Sequence, residues 1–125
     1  MTFSRLVINI VLWLALLLSA GLTPQGFSFD HVTPHFITPN GKNQTAFFWY
    51  NNPQWENVTG KVYDVQGKFI ADMAPGIPGS PASYPQFTLT WNAQASNGQF
   101  VTTGVYVYVI SAEDGVYRGL VVVIR

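Results

Sequence analysis

The 125-residue chain is 48% hydrophobic, 15% aromatic and only 10% charged, with six basic and six acidic side chains and a formal net charge of zero. That composition supports one folded domain, since a disordered chain carries far less apolar side chain. A neutral chain also lacks the positive surface that holds nucleic-acid phosphates, so no nucleic-acid partner is expected. With no cysteine, disulfides, thiolate metal sites, iron–sulfur ligands and thiol nucleophiles are all excluded.

Residues 1–22 read MTFSRLVINIVLWLALLLSAGL: Arg5 precedes an apolar run from Leu6 to Leu18, and the small residues Ser19, Ala20 and Gly21 follow. A basic start, an apolar stretch and a small-residue cleavage zone are the parts of a secretory signal peptide. Read instead as an uncleaved anchor helix, residues 6–22 fall slightly short of the ~20 residues that cross hydrocarbon. In both readings Arg5 stays inside and the chain after Pro24 is exported. The protein is expected to be secreted, periplasmic or at the cell surface, or tethered to the cytoplasmic membrane by residues 6–22, its one contact with a membrane. Residues 23–125 form the domain.

Beyond residue 22 helical periodicity is missing, and β-branched and aromatic runs alternate with clusters of Gly, Pro, Asn and Ser. The pattern predicts strands near Val32 to Thr38, Thr45 to Tyr50, Asn57 to Val65, Lys68 to Met73, Gln86 to Trp91, Val105 to Ser111 and Val116 to Ile124. About seven strands in a chain of this size suit an antiparallel β-sandwich. Asp64-Val65-Gln66-Gly67, Asn97-Gly98 and Glu113-Asp114-Gly115 are turn signals, the first with its glycine at a left-handed position and Asn97-Gly98 the strongest two-residue signal. Residues 74–85, APGIPGSPASYP, are too rich in proline to donate a regular ladder and read as a surface crossover.

Four blocks carry a resemblance: ITPNG (Ile37 to Gly41), VYDVQGKFIADM (Val62 to Met73), LTWNAQASNGQFVTTGVYVYVI (Leu89 to Ile110) and YRGLVVVIR (Tyr117 to Arg125). Their order and spacing resemble the FlgD-type immunoglobulin-like domain, over nearly the whole of the exported part. The chain is also similar to the gliding-motility and type IX sorting modules at the C-termini of exported bacterial proteins. The resemblance implies an all-β, immunoglobulin-like sandwich, and a hook-capping, surface-appendage or export-recognition role. Where the gliding-motility relatives continue PNG with acidic residues, Pro39-Asn40-Gly41 runs into Lys42-Asn43-Gln44. Calcium prefers several anionic oxygens, so no metal is expected there and the stretch reads as a tight turn.

Tyr106 and Tyr108 follow Gly104, a placement that resembles the tyrosine corner, where a phenol hydroxyl bonds backbone upstream. On that register Tyr106, Tyr108 and Ile110 face the core with Val58, Val62 and Trp91, leaving Val105, Val107 and Val109 outside. A strand with one wet face should carry polar residues there. The last strand, Leu120 to Ile124, is apolar on both faces. Val105, Val107, Val109, Val121 and Val123, extended by Tyr63 and Val65, are therefore the expected docking patch for a protein partner, another copy or the N-terminal segment. The free edge of the last strand could also add to a partner's sheet.

A second expectation concerns Phe47-Phe48-Trp49-Tyr50 and Trp55, consecutive rings that cannot all point inward. Trp49 and Trp55 are candidates for a carbohydrate-binding platform. Asp30, His31 and His35 are a poor metal set, because in an extended segment the imidazoles lie more than about 12 Å apart. No nucleophile elbow, phosphate loop or dinucleotide fingerprint occurs, and the carboxylates are scattered near turns. The sequence thus points to an exported module without catalysis, metal or cofactor. It works as an assembly subunit, with a sorting module and a glycan binder as the alternatives.

Overall fold

The computed structural model describes residues 26–76 and 83–125; the expected signal or anchor segment lies outside them. The described residues form nine strands: β1 (Ser28–Thr33), β2 (Phe36–Ile37), β3 (Ala46–Asn51), β4 (Thr59–Asp64), β5 (Phe69–Asp72), β6 (Ala74–Pro75), β7 (Gln86–Trp91), β8 (Gly104–Ala112) and β9 (Gly115–Val123). They make an all-β sandwich of two sheets, in orders β1-β3-β7-β6 and β2-β9-β8-β4-β5. No described residue is helical.

Two expected elements are redrawn. The single strand expected over Val32 to Thr38 is split between the sheets, β1 pairing antiparallel with β3 and β2 parallel with β9. Pro34 stands at the break; it has no N–H to donate to a ladder. The proline-rich stretch is not wholly crossover either. Ala74 and Pro75 pair with Thr90 and Leu89, and because β6 is an edge strand its proline can leave the missing donor side unpaired.

Strand alternation builds the core. Along β3 the pattern inward–outward puts Ala46, Phe48 and Tyr50 inside, and along β8 Tyr106, Tyr108 and Ile110. The rings meet across the layers: Phe48 packs edge-on against Tyr108 at 4.9 Å and Trp91 against Tyr106 at 5.5 Å. The Phe29 ring also lies 5.7 Å from that of Tyr108. Burial raises the phenol pKa of both Tyr50 and Tyr108, since a phenolate there would lose its hydration. Tyr108 is paired in register with Gly119. A methyl at Gly119 would run into its hydroxyl and ring.

The turns follow their chemistry. Gly67 and Gly98 have φ of 88° and 84°, conformations that cost glycine nothing. In the first turn Asp64 Oδ1 accepts the N–H groups of Gln66 and Lys68. Glu113 and Asp114 alone join β8 to β9. Pro39-Asn40-Gly41 lies in a turn closed by Gly41 N–H to Thr38 O and by Asn43 N–H to Thr38 Oγ1.

The Tyr106 hydroxyl donates to the Thr102 carbonyl at 2.7 Å, the corner geometry expected from sequence. Tyr106→Phe keeps the ring and removes this bond. It is expected to lower stability by about 0.5–1.5 kcal/mol, read as a shift of the urea midpoint without change of slope.

Candidate functional site

Because β8 and β9 are joined by a two-residue turn, their register is fixed from Ala112↔Gly115 to Gly104↔Val123. Outward-facing residues of the five-stranded sheet then line up in rows. One row is Phe36, Val122 and Val105; the next is Leu120, Val107, Tyr63 and Phe69. The rings of Tyr63 and Phe69 meet edge-on at 5.9 Å. Arg118, Val109, Lys61 and Asp72 form the third row, which borders the apolar ones with charge. The Lys61 ammonium lies 5.7 Å from the Phe69 ring.

Five of the seven expected docking residues belong to this surface. Val105 is exposed, Val107, Val109 and Tyr63 are half-buried. Val65, 70% exposed, borders a surface groove shared with Val105, Lys68 and Phe100. Val121 and Val123 do not belong to it, for both have 0% exposure and sit in the core. The correction follows from register: Val121 is paired with the inward-facing Tyr106, so its side chain points the same way. The outward residues of β9 are Val116, Arg118, Leu120 and Val122 instead, Leu120 being 61% exposed.

Leu120, Val122, Phe36 and Phe69 were missed by sequence reasoning. For the first two a signal existed. A two-residue hairpin turn at Glu113-Asp114 makes Leu120 the partner of Val107 by counting alone, whereas hydrophobicity cannot choose a face in a strand apolar on both. Phe36 and Phe69 gave no such signal, since their outward direction depends on which neighbour each short strand pairs with.

The edge of this sheet is only partly covered. Val122 and Ile124 donate to His35 O and Ile37 O of the β2 segment. By the two-residue repeat of a strand, Leu120, Arg118 and Val116 direct their N–H and C=O groups to the same side. No strand among the described residues pairs with them there.

The two candidate tryptophans are not brought together. Trp49 is half-buried on the outer face of the four-stranded sheet, parallel to His31 at 5.9 Å and in register with Thr88. Its Nε1 and Thr88 Oγ1 are both buried with no hydrogen-bond partner. Trp55 lies in the loop after β3, stacked on Tyr84. The imidazole of His31 is 3.1 Å from the carboxylate of Asp30, both about half exposed. Among the described residues no three His, Asp or Glu side chains gather as a metal set would. A groove of about 530 Å³ beside Asp72, Asn92 and Gln94 includes polar side chains already bonded locally, as Asn92 Nδ2 is to Gln94 Oε1 and Ser96 Oγ to the Ile70 carbonyl.

No family model matches the chain, and no curated protein is significantly similar to it in sequence.

Proposed function

We propose that the chain is an exported, non-catalytic immunoglobulin-like module of the FlgD type. It serves as a structural or assembly subunit of a bacterial surface or extracellular structure, and it docks a protein on the outer face of its five-stranded sheet. The observation that carries the docking reading is the pair of adjacent apolar rows from Phe36 to Val105 and from Leu120 to Phe69. An outer sheet face in water normally alternates to polar residues, and an apolar centre with a charged border is the anatomy of a protein interface.

The immunoglobulin-like reading is supported by the first strand's division between two sheets and by the Tyr106 corner bond. Export rests on Arg5, the run Leu6 to Leu18 and the small residues after it.

Replacing Val107 or Leu120 by Lys puts a charge at the centre of the face without touching the core. Light scattering after size exclusion should show the wild-type chain in a multimer, or in complex with a protein recovered alongside it. Either variant should release a monomer, with affinity lowered at least about tenfold, since burying an unpaired charge costs well over 1.4 kcal/mol. A chain that is monomeric before and after the change, and loses no partner from pull-downs, would rule the docking face out.

A further inference from the structure

Trp55 has φ of 54°, in the left-handed region that a bulky residue adopts only where its surroundings dictate it. Burial of its own ring cannot be the compensation, because the residue is 67% exposed. What holds it is a built loop. Asn52 is buried, and its side chain clamps Glu56 from both sides, Oδ1 accepting the Glu56 N–H at 2.8 Å and Nδ2 donating to the Glu56 carbonyl at 2.9 Å. Trp55 N–H donates to the Asn52 carbonyl, and Asn52 N–H to that of Pro85. The Glu56 carboxylate, in turn, accepts the N–H groups of Phe27 and Asp114. The loop is thus tied to the N-terminal strand and to the β8–β9 turn.

Among the described residues, two rings support the indole. Tyr84, 56% exposed, lies parallel to it within 11° at 5.4 Å, and Phe87 meets it edge-on at 5.2 Å. The Tyr84 hydroxyl donates to the Pro53 carbonyl, which fixes the supporting ring to the same loop. With one face stacked on Tyr84 and two-thirds of the residue still exposed, no described ring covers the other indole face.

We infer that the Trp55–Tyr84 pair is a binding site for a neutral sugar ring, one pyranose stacking its C–H face on the open side of the Trp55 indole. An amphipathic flat ligand suits an aromatic face with polar neighbours, and Asn51 and Asn57 supply carboxamides along the same segment. Residues 51–57 contain no Lys or Arg and do contain Glu56, which disfavours phosphorylated ligands. A proline-rich peptide needs a slot between two aromatic rings, and here the rings are stacked on each other. Trp49 takes no part, lying on the outer face of the four-stranded sheet.

The test is a fluorescence titration of the full chain with the β-1,4-linked hexaoses of glucose, N-acetylglucosamine, xylose and mannose. At least one should give a saturable change with a Kd of about millimolar, as expected for a single stacked ring on an open surface. Trp55→Ala should weaken it at least about tenfold and Tyr84→Ala by a similar factor, whereas Trp49→Phe and Leu120→Lys should leave it within about twofold. No saturable response to any of the four hexaoses overturns the inference, and so does binding that survives Trp55→Ala. Binding of a proline decapeptide in place of the sugars, lost in Trp55→Ala, would also overturn it.

Discussion

Phe48→Ala is expected to destabilise the protein by about 3–5 kcal/mol, the range for deleting a buried aromatic ring from a packed core. Phe48 has no exposure and, among the described residues, is the largest side chain so enclosed. It stands in the four-stranded sheet and reaches Tyr108 in the other, 4.9 Å away, so its loss opens a cavity between the layers. The strands around it are hydrogen-bonded on both sides, β3 to β1 and β7, and β8 to β4 and β9, which limits collapse into the void. A domain of this size is stable by only about 5–15 kcal/mol. Urea unfolding should therefore show a midpoint near or below half that of the wild type, or a chain that no longer folds. A midpoint within about 0.3 M of wild type would mean that the layers are not held together at this ring.

Gly119→Ala is the second large effect, and it adds atoms instead of removing them. Gly119 faces Tyr108 across the β8–β9 ladder, and a methyl group at this position meets the phenol hydroxyl and ring. Tyr108 cannot simply swing away, because Phe48 and Phe29 pack against it. Overfilling of this kind costs about 1–3 kcal/mol, although alanine at an ordinary strand position would be no worse than glycine. The double variant Gly119→Ala with Tyr108→Leu should recover part of the loss relative to Tyr108→Leu alone. Equal effects of Gly119→Ala in both backgrounds would show that the two residues are not coupled.

How far the sequence could be read depended on whether one face of a strand was marked. In β8 the tyrosines and the valines alternate, and the preceding Gly104 fixes the phase; Tyr106, Tyr108 and Ile110 are accordingly buried and the valines turned outward. At the end of β9, Leu120 to Val123, both phases are valine or leucine, so composition there carried no phase and the pairing register decides which side chains enter the core. The turns were legible because their chemistry is local: Gly67 and Gly98 are placed by the requirement for positive φ. β2 and β6 were not, because two residues cannot show a periodicity and both strands exist only through a neighbour's ladder.

The aromatic cluster was half visible for a similar reason. Consecutive rings in Phe47 to Tyr50 had to divide between two faces, and the structure puts Phe48 and Tyr50 in the core and Phe47 and Trp49 on the other face. That Trp55 would find Tyr84 as its stacking partner depends on a contact between residues far apart in the chain. No spacing rule reaches it.

The brevity of β2 has a bearing on how the five-stranded sheet ends. Only the end of β9 is sheltered by it, and among the described residues no strand lies beside the backbone of Val116, Arg118 and Leu120, the arrangement that can template sheet growth. Two such borders meeting head to tail about Arg118 would set guanidinium against guanidinium at the midpoint of the new ladder, where like charges repel. A single cation in an otherwise greasy stretch is the kind of residue that disfavours self-pairing along an edge strand.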